Sequence, residues 1–164
     1  MVRLLGARLV RLVTRPRRLV TRFTRLHAAA LRASGGRLRR SRLLAGGQPV
    51  LSLTTTGRRS GQPRSTVVAY LREGEDYVVY AVNLGNERDP AWCLNLDADP
   101  DATVDVDGES FRVSARRANG AEAERLWSAY VTRLPASEHF RTIAGREIPI
   151  FVLTPGLRRA PAVG

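Results

Sequence analysis

Residues 50–83 read VLSLTTTGRRSGQPRSTVVAYLREGEDYVVYAVN. The first seven form a β-rich run. It breaks at GRRSGQP (57–63), a loop with two glycines and a proline. Residues 66–71 and 77–83 are two nearly continuous apolar runs, joined by Arg72-Glu73-Gly74-Glu75-Asp76 as a hairpin connection. Three strands thus follow one another with no helix between them. Further along, PAWCLNLD (90–97) opens on proline and fits a short helix. Residues 102–106 and 109–116 flank Asp107-Gly108, a pair that favours a two-residue type I′ turn. Phe111, Val113 and Ala115 alternate with polar residues, as in a half-buried strand. Asn119 reads as a helix cap, with Glu122 three residues on completing a capping box. Leu126, Trp127, Tyr130 and Val131 give that helix its apolar face, Ser137 starts another short helix, and residues 149–154 return to strand. Six or so strands in meander order, without βαβ alternation, predict an α+β fold around a small barrel.

The chain of 164 residues suits one domain, and 43% hydrophobic against 26% charged residues excludes wholesale disorder. One cysteine, Cys93, excludes an internal disulfide and a cysteine-rich zinc site. Two histidines, His27 and His139, are too few for a histidine-built metal centre, so no metal is expected. The net charge of +12 is unevenly placed: residues 1–46 hold 13 arginines and no acid, whereas residues 47–164 hold 14 arginines against 15 acids. The expected division is a basic arm (1–46) and a nearly neutral domain (47–164). Every basic residue is arginine, which points to a high-GC bacterial genome.

Within residues 2–26, Arg8, Arg11, Arg15, Arg18, Arg22 and Arg25 recur every three or four positions. Leu5, Leu9, Leu12, Leu19, Phe23 and Leu26 do the same, offset from them. At 3.6 residues per turn these make a basic and an apolar stripe, kinked or divided at Pro16. No run of about 18 apolar residues exists, so a transmembrane span is not expected. Arginine interrupts every candidate apolar core of a secretory signal. The favoured reading is a helix lying on an anionic membrane surface. A helix packing its leucines on the domain comes next, and nucleic-acid binding is the least favoured.

In the domain, GRRSGQPRST (57–66) carries the clearest chemistry. Gly57 and Gly61 let backbone N–H groups approach an anion. Arg58, Arg59 and Arg64 can fork onto phosphate or carboxylate oxygens, and Ser60, Ser65 and Thr66 add hydroxyl donors. The same stretch could equally be an exposed turn with solvated arginines. It opens no helix, so it is neither a Walker loop nor a dinucleotide fingerprint. There is no G-x-S-x-G elbow, and Cys93 sits beside Trp92 in an apolar setting that suits an inert thiol. An anion site without a catalytic dyad suggests a bound cofactor that does the chemistry.

LTTTGRRSGQPRST (53–66), AVNLGNERDPAWCLNL (81–96), RLW (125–127) and GREIPIFVL (145–153) resemble the deazaflavin-dependent nitroreductase family. These are the coenzyme F420-dependent quinone and nitro reductases of actinobacteria, and the resemblance covers residues 50–155. It implies a split β-barrel, like the flavin-binding oxidases, with flanking helices and here the N-terminal amphipathic arm. It implies hydride transfer from reduced F420 to a quinone, nitro compound or activated alkene. Gly57, Arg58, Arg59, Ser60, Gly61 and Arg64 would hold the anionic tail of the cofactor. Thr66, Val67, Asn83 and Gly85 would line its ring, and Pro90, Ala91, Trp92 and Asn95 would form a helix against it. Tyr130 and His139 are the candidate proton donors. The chain departs from the family's usual pattern at Val82 and Leu84, in place of a serine and a glycine, at Cys93, in place of an aromatic, and at Phe140, in place of a tyrosine. Two alternatives stay open: a non-catalytic deazaflavin carrier, and a split-barrel oxidoreductase using flavin mononucleotide (FMN). A cytoplasmic protein on the inner face of the plasma membrane is expected, meeting a small-molecule electron acceptor. A homodimer is expected by analogy with split-barrel proteins.

Overall fold

The computed structural model describes residues 48–156. Six strands close into an antiparallel barrel: β1 (Val50–Thr56), β2 (Pro63–Glu73), β3 (Asp76–Tyr80), β4 (Asp101–Val106), β5 (Glu109–Arg117) and β6 (Ile150–Pro155). Around the barrel the order is β1-β2-β3-β6-β5-β4, and β4 returns to β1 with Leu53 opposite Val104. Three helices accompany it: α1 (Ala91–Ala98), α2 (Gly120–Arg133) and α3 (Ala136–Ala144). The barrel agrees with the sequence reading. The meander order holds within β1 to β3 and again within β4 to β6; it breaks at the step from β3 to β4, because β4 pairs with β1 and β6 closes the barrel against β3. The arm expected over 1–46 lies outside the described residues.

Two apolar clusters hold the fold. Leu51, Leu53, Val79, Val104, Val113, Phe151 and Leu153 fill the barrel, and Trp92, Cys93 and Leu96 of α1 join them. A second cluster lies outside the barrel wall. There Val78, Tyr80, Ile150 and Val152 pack under Leu126, Trp127 and Tyr130 of α2 and Ala144 of α3. β3 and β6 are therefore covered on both faces, which is why each reads as an unbroken apolar run. β1 has one core-facing side, and its burial alternates from Leu51 to Leu53 to Thr55.

Several boundaries follow from local chemistry. Asp107 and Gly108 have φ of 56° and 85°, as a type I′ turn requires. Pro90 precedes α1 in an extended conformation and ends the loop before it. β3 stops at Tyr80, short of the expected residue 83, because Asn83, Leu84 and Gly85 all adopt positive φ (48°, 53° and 74°) in a single 3-10 turn. The capping box at α2 is a correction. Asn119 precedes the helix but its side chain donates to the Arg117 carbonyl. Glu122 instead accepts two hydrogen bonds of 2.7 Å from Arg116 at the end of β5. A bidentate, charge-assisted pair outcompetes a single bond to a neutral backbone N–H.

Candidate functional site

The Gly57 turn is held from two directions. Gly57 donates to the Gln62 carbonyl at 2.9 Å, while Ser60 and Gly61 donate to the Gly57 carbonyl at 3.0 and 2.7 Å. A Cβ on Gly57 would come within 2.9 Å of Ser60 Oγ and 3.0 Å of the Gln62 carbonyl, so only glycine closes the turn this tightly. The second hold comes from α1. Asn95 is 4% exposed; its Oδ1 accepts from the Arg58 N–H at 3.2 Å and its Nδ2 donates to Thr55 Oγ1 at 3.0 Å. The resemblance set Asn95 against the cofactor. The structure gives it a further task, since its amide fixes the turn to the barrel end.

The turn's cations point outward. Arg58, Arg59 and Arg64 are exposed, and among the described residues none of them forms an ion pair. Arg64 donates to Ser60 Oγ at 3.3 Å. Seven other described arginines do have carboxylate partners, so this turn concentrates cations left for something else. Guanidinium forks and serine hydroxyls on a glycine turn fit phosphate and carboxylate oxygens.

β2 continues the site. Its ladder with β3 ends at Tyr70 opposite Val79, so residues 63–69 pair only with β1. One backbone edge of that segment faces the side on which the chain leaves β3. Thr66 and Val67 alternate along β2: Thr66 lies opposite the core residue Leu53, and Val67 opposite the outward Ser52. Their side chains therefore occupy opposite faces of the sheet.

The loop after β3 is clamped by a residue the sequence reading quoted only inside GREIP. Arg146 donates from Nε to the Asn86 carbonyl at 2.9 Å and from one terminal nitrogen to the Ala81 carbonyl at 2.9 Å. Its other terminal nitrogen bonds the Glu147 carbonyl at 3.0 Å and pairs with Asp89 at 2.8 Å. Asn83 adds a bond from Nδ2 to the Arg88 carbonyl at 2.9 Å. Glycine suits position 85, because φ is 74° and a Cβ would press into the Ile143 side chain of α3. A basic residue directly after a turn glycine was the available signal for Arg146, which the structure leaves half-buried, but nothing in the sequence says which carbonyls it would find.

Other expected residues separate from this group. Pro90 is half-buried and Ala91 exposed, whereas Trp92 turns inward and meets Phe151 edge-on at 5.7 Å. Tyr130 is 5% exposed, stacked on Tyr80 at 4.0 Å, and burial raises its hydroxyl pKa. It belongs to the outer cluster and not to the turn. His139 is exposed on α3, the helix packed against the 83–85 turn. Cys93 is fully buried, and desolvation pushes its thiol pKa far up, which suits the inert role expected for it. Val82 points into the outer cluster at 9% exposure. A depression of 560 Å³ lies on α3 and the segment after it, lined by Glu138, Arg141, Thr142, Gly145, Arg146 and Glu147.

The arrangement can therefore seat a polyanion at the 57–64 turn and present a fixed loop, 81–86, beyond the free edge of β2. Comparison with known proteins gives the same direction. The family model described as F420H(2)-dependent quinone reductase matches residues 23–155. A Mycobacterium tuberculosis protein named F420H(2)-dependent quinone reductase is 35% identical over 134 residues, covering 79% of this chain and 88% of that protein. A solved F420-H2 dependent reductase is 29% identical with a TM-score of 0.59, covering 64% of this chain and 93% of its own. A solved chain described as a domain-swapped dimer is 25% identical with a TM-score of 0.60, covering 81% and 98%. The chain belongs to the F420H(2)-dependent quinone reductase family, whose enzymes pass a hydride from reduced coenzyme F420 to a quinone.

Proposed function

We propose that the turn of Gly57, Arg58, Arg59, Ser60, Gly61 and Arg64 binds the phosphate and oligoglutamate tail of F420. The single observation that carries this is the set of three guanidiniums, none in an ion pair among the described residues, on a turn clamped by Asn95. The bound deazaflavin supplies the hydride. Thr66 or Val67 of β2, Asn83 and Gly85 border its ring, and Pro90 and Ala91 close the side from α1. Trp92 and Asn95 act from behind, by packing and by holding the turn. Arg146 keeps the 81–86 loop in the shape that orients the ring.

For the proton that accompanies reduction, His139 is the better placed of the two candidates, being exposed on the helix that packs against the loop. Tyr130 would have to leave its stack on Tyr80. Val82, one of the departures from the family's pattern, is buried in the outer cluster, which supports a ring open to hydride transfer over a carrier.

The basic stripe of residues 2–26 would rest on an anionic membrane surface, which brings the enzyme to lipid-borne acceptors at the inner face of the plasma membrane. Among the described residues no helix is long and apolar enough to cross a membrane. A homodimer is supported by the likeness to the domain-swapped dimer. Fluorescence titration with F420 and with FMN tests the central assignment. Tight binding of F420, weakened by Arg59→Ala and Arg64→Ala, is expected, and preference for FMN would overturn it.

A further inference from the structure

Leu84 and Ile143 are the large apolar side chains left exposed among the described residues, at 58% and 50%. They lie at one place. Leu84 is the middle residue of the 83–85 turn, and Ile143 sits directly over Gly85, in the space a Cβ there would need. Leu84 is held at φ 53°, a strained conformation that a bulky side chain rarely adopts. Arg146 holds the carbonyls on either side of the turn, at Ala81 and Asn86, so the strained leucine is kept in place by the clamped loop and not by its own packing. Phe140, half-buried, is on the same helix one turn before Ile143, and its carbonyl would lie 3.2 Å from a Cβ on Gly85. A strained residue that presents an apolar side chain to water beside a substrate loop is placed to meet an apolar ligand.

We propose that Leu84 and Ile143 form an apolar shelf for the hydrocarbon tail of a lipid-type quinone, and so determine which acceptors the enzyme prefers. This rests on the reading of the 81–86 loop as part of the reaction site. The quinone head would sit at the ring, and its isoprenoid chain would leave across the shelf. Water released from both surfaces favours tailed over tail-less acceptors. The reaction is the family's own: a hydride passes from reduced F420 to the quinone and a proton completes the quinol, so no other reductant is needed.

The test compares two naphthoquinones with one headgroup, one tail-less and one carrying a short isoprenoid chain, with reduced F420 and the full-length protein. Leu84→Asn keeps a residue that tolerates positive φ, and Ile143→Thr keeps the β-branch over Gly85. Each substitution is expected to lower kcat/KM for the tailed quinone about tenfold, the scale of a lost apolar contact, and to leave the tail-less quinone within about twofold. Equal losses on both quinones, or no loss on either, would overturn the shelf while leaving the acceptor reading intact. A wild-type enzyme that binds F420 and reduces neither quinone would sink the acceptor reading and the shelf with it. If the variants change vesicle binding or self-association and not the quinone ratio, the patch is a docking surface and the proposal is wrong. Should Ile143→Thr fail to fold, Leu84→Asn alone decides.

Discussion

Arg59 and Arg64 carry the most direct prediction because among the described residues neither has a carboxylate partner. Replacing either by alanine removes a charge-assisted hydrogen bond to the cofactor tail and should weaken F420 binding by about 1.5–3 kcal/mol. The apo-protein should melt at nearly the wild-type temperature, since neither guanidinium forms an ion pair among the described residues. Unchanged affinity in both variants would remove the tail site. Asn95 makes the contrasting case. Asn95→Ala strands the Arg58 N–H and the Thr55 hydroxyl at a barrel end, and should lower both stability and F420 affinity, stability by about 1–3 kcal/mol. Calorimetry beside a binding titration separates the two patterns. At this scale the sequence was informative about residue type and less so about direction. GRRSG announces cations and tight backbone because those properties are local. That Asn95 faces the turn, or that Thr66 and Val67 diverge, depends on strand register and helix rotation, which no local signal sets.

At the scale of elements, β-rich composition made β1 legible and period-2 patterning β5, and Asp107-Gly108 fixed the hairpin between β4 and β5. The end of β3 was not legible, because AVN continues an apolar run and the break comes from Arg146, distant in sequence, seizing the Ala81 and Asn86 carbonyls. That dependence can be checked. Arg146→Ala releases three carbonyls, of Ala81, Asn86 and Glu147, and leaves Asp89 without its partner, and a hydrogen bond to a charged group of this kind is worth about 1.5–3 kcal/mol. Turnover should fall more than stability does, because the affected segment borders the site and not the barrel core. Arg146→Lys should restore the charge but not the three-carbonyl fork, so kcat/KM should stay well below wild type. A variant with normal kcat/KM and a lowered melting temperature would make Arg146 merely structural. The packed pair Tyr80–Tyr130 supplies a pH prediction. Burial raises both hydroxyl pKa values, so each phenol stays neutral in the fold above the pH at which it ionises in the unfolded chain. Stability is then fully present below about pH 10 and declines above it. Tyr130→Phe should flatten part of that alkaline slope in a denaturation series.

For the whole molecule the open question is what the basic arm does for the barrel. The family match begins at residue 23, inside the arm, so the division at 46/47 read from charge and the extent of the family sequence do not coincide. Three chains separate the contributions: full length, one starting at Phe23, and one starting at Gly47. A membrane-surface helix gains from two sources. Each arginine near an anionic leaflet contributes about 1 kcal/mol, and salt screens that share. The Leu5, Leu9, Leu12, Leu19 and Phe23 stripe adds burial at about 25 cal/mol per Å², which salt hardly touches. Nucleic-acid binding has mostly the first source and should collapse as salt rises. In vesicle co-sedimentation across a salt series, full-length protein should bind anionic vesicles and keep part of that binding at high salt. The chain from Phe23 loses most of the apolar stripe and should lose the salt-resistant share, while still binding F420. The chain from Gly47 keeps the whole 57–64 turn and the loop clamp, and should bind F420 if those residues suffice. If instead it unfolds while the chain from Phe23 does not, residues 23–46 belong to the domain's packing, and only the first half of the stripe is left for a membrane.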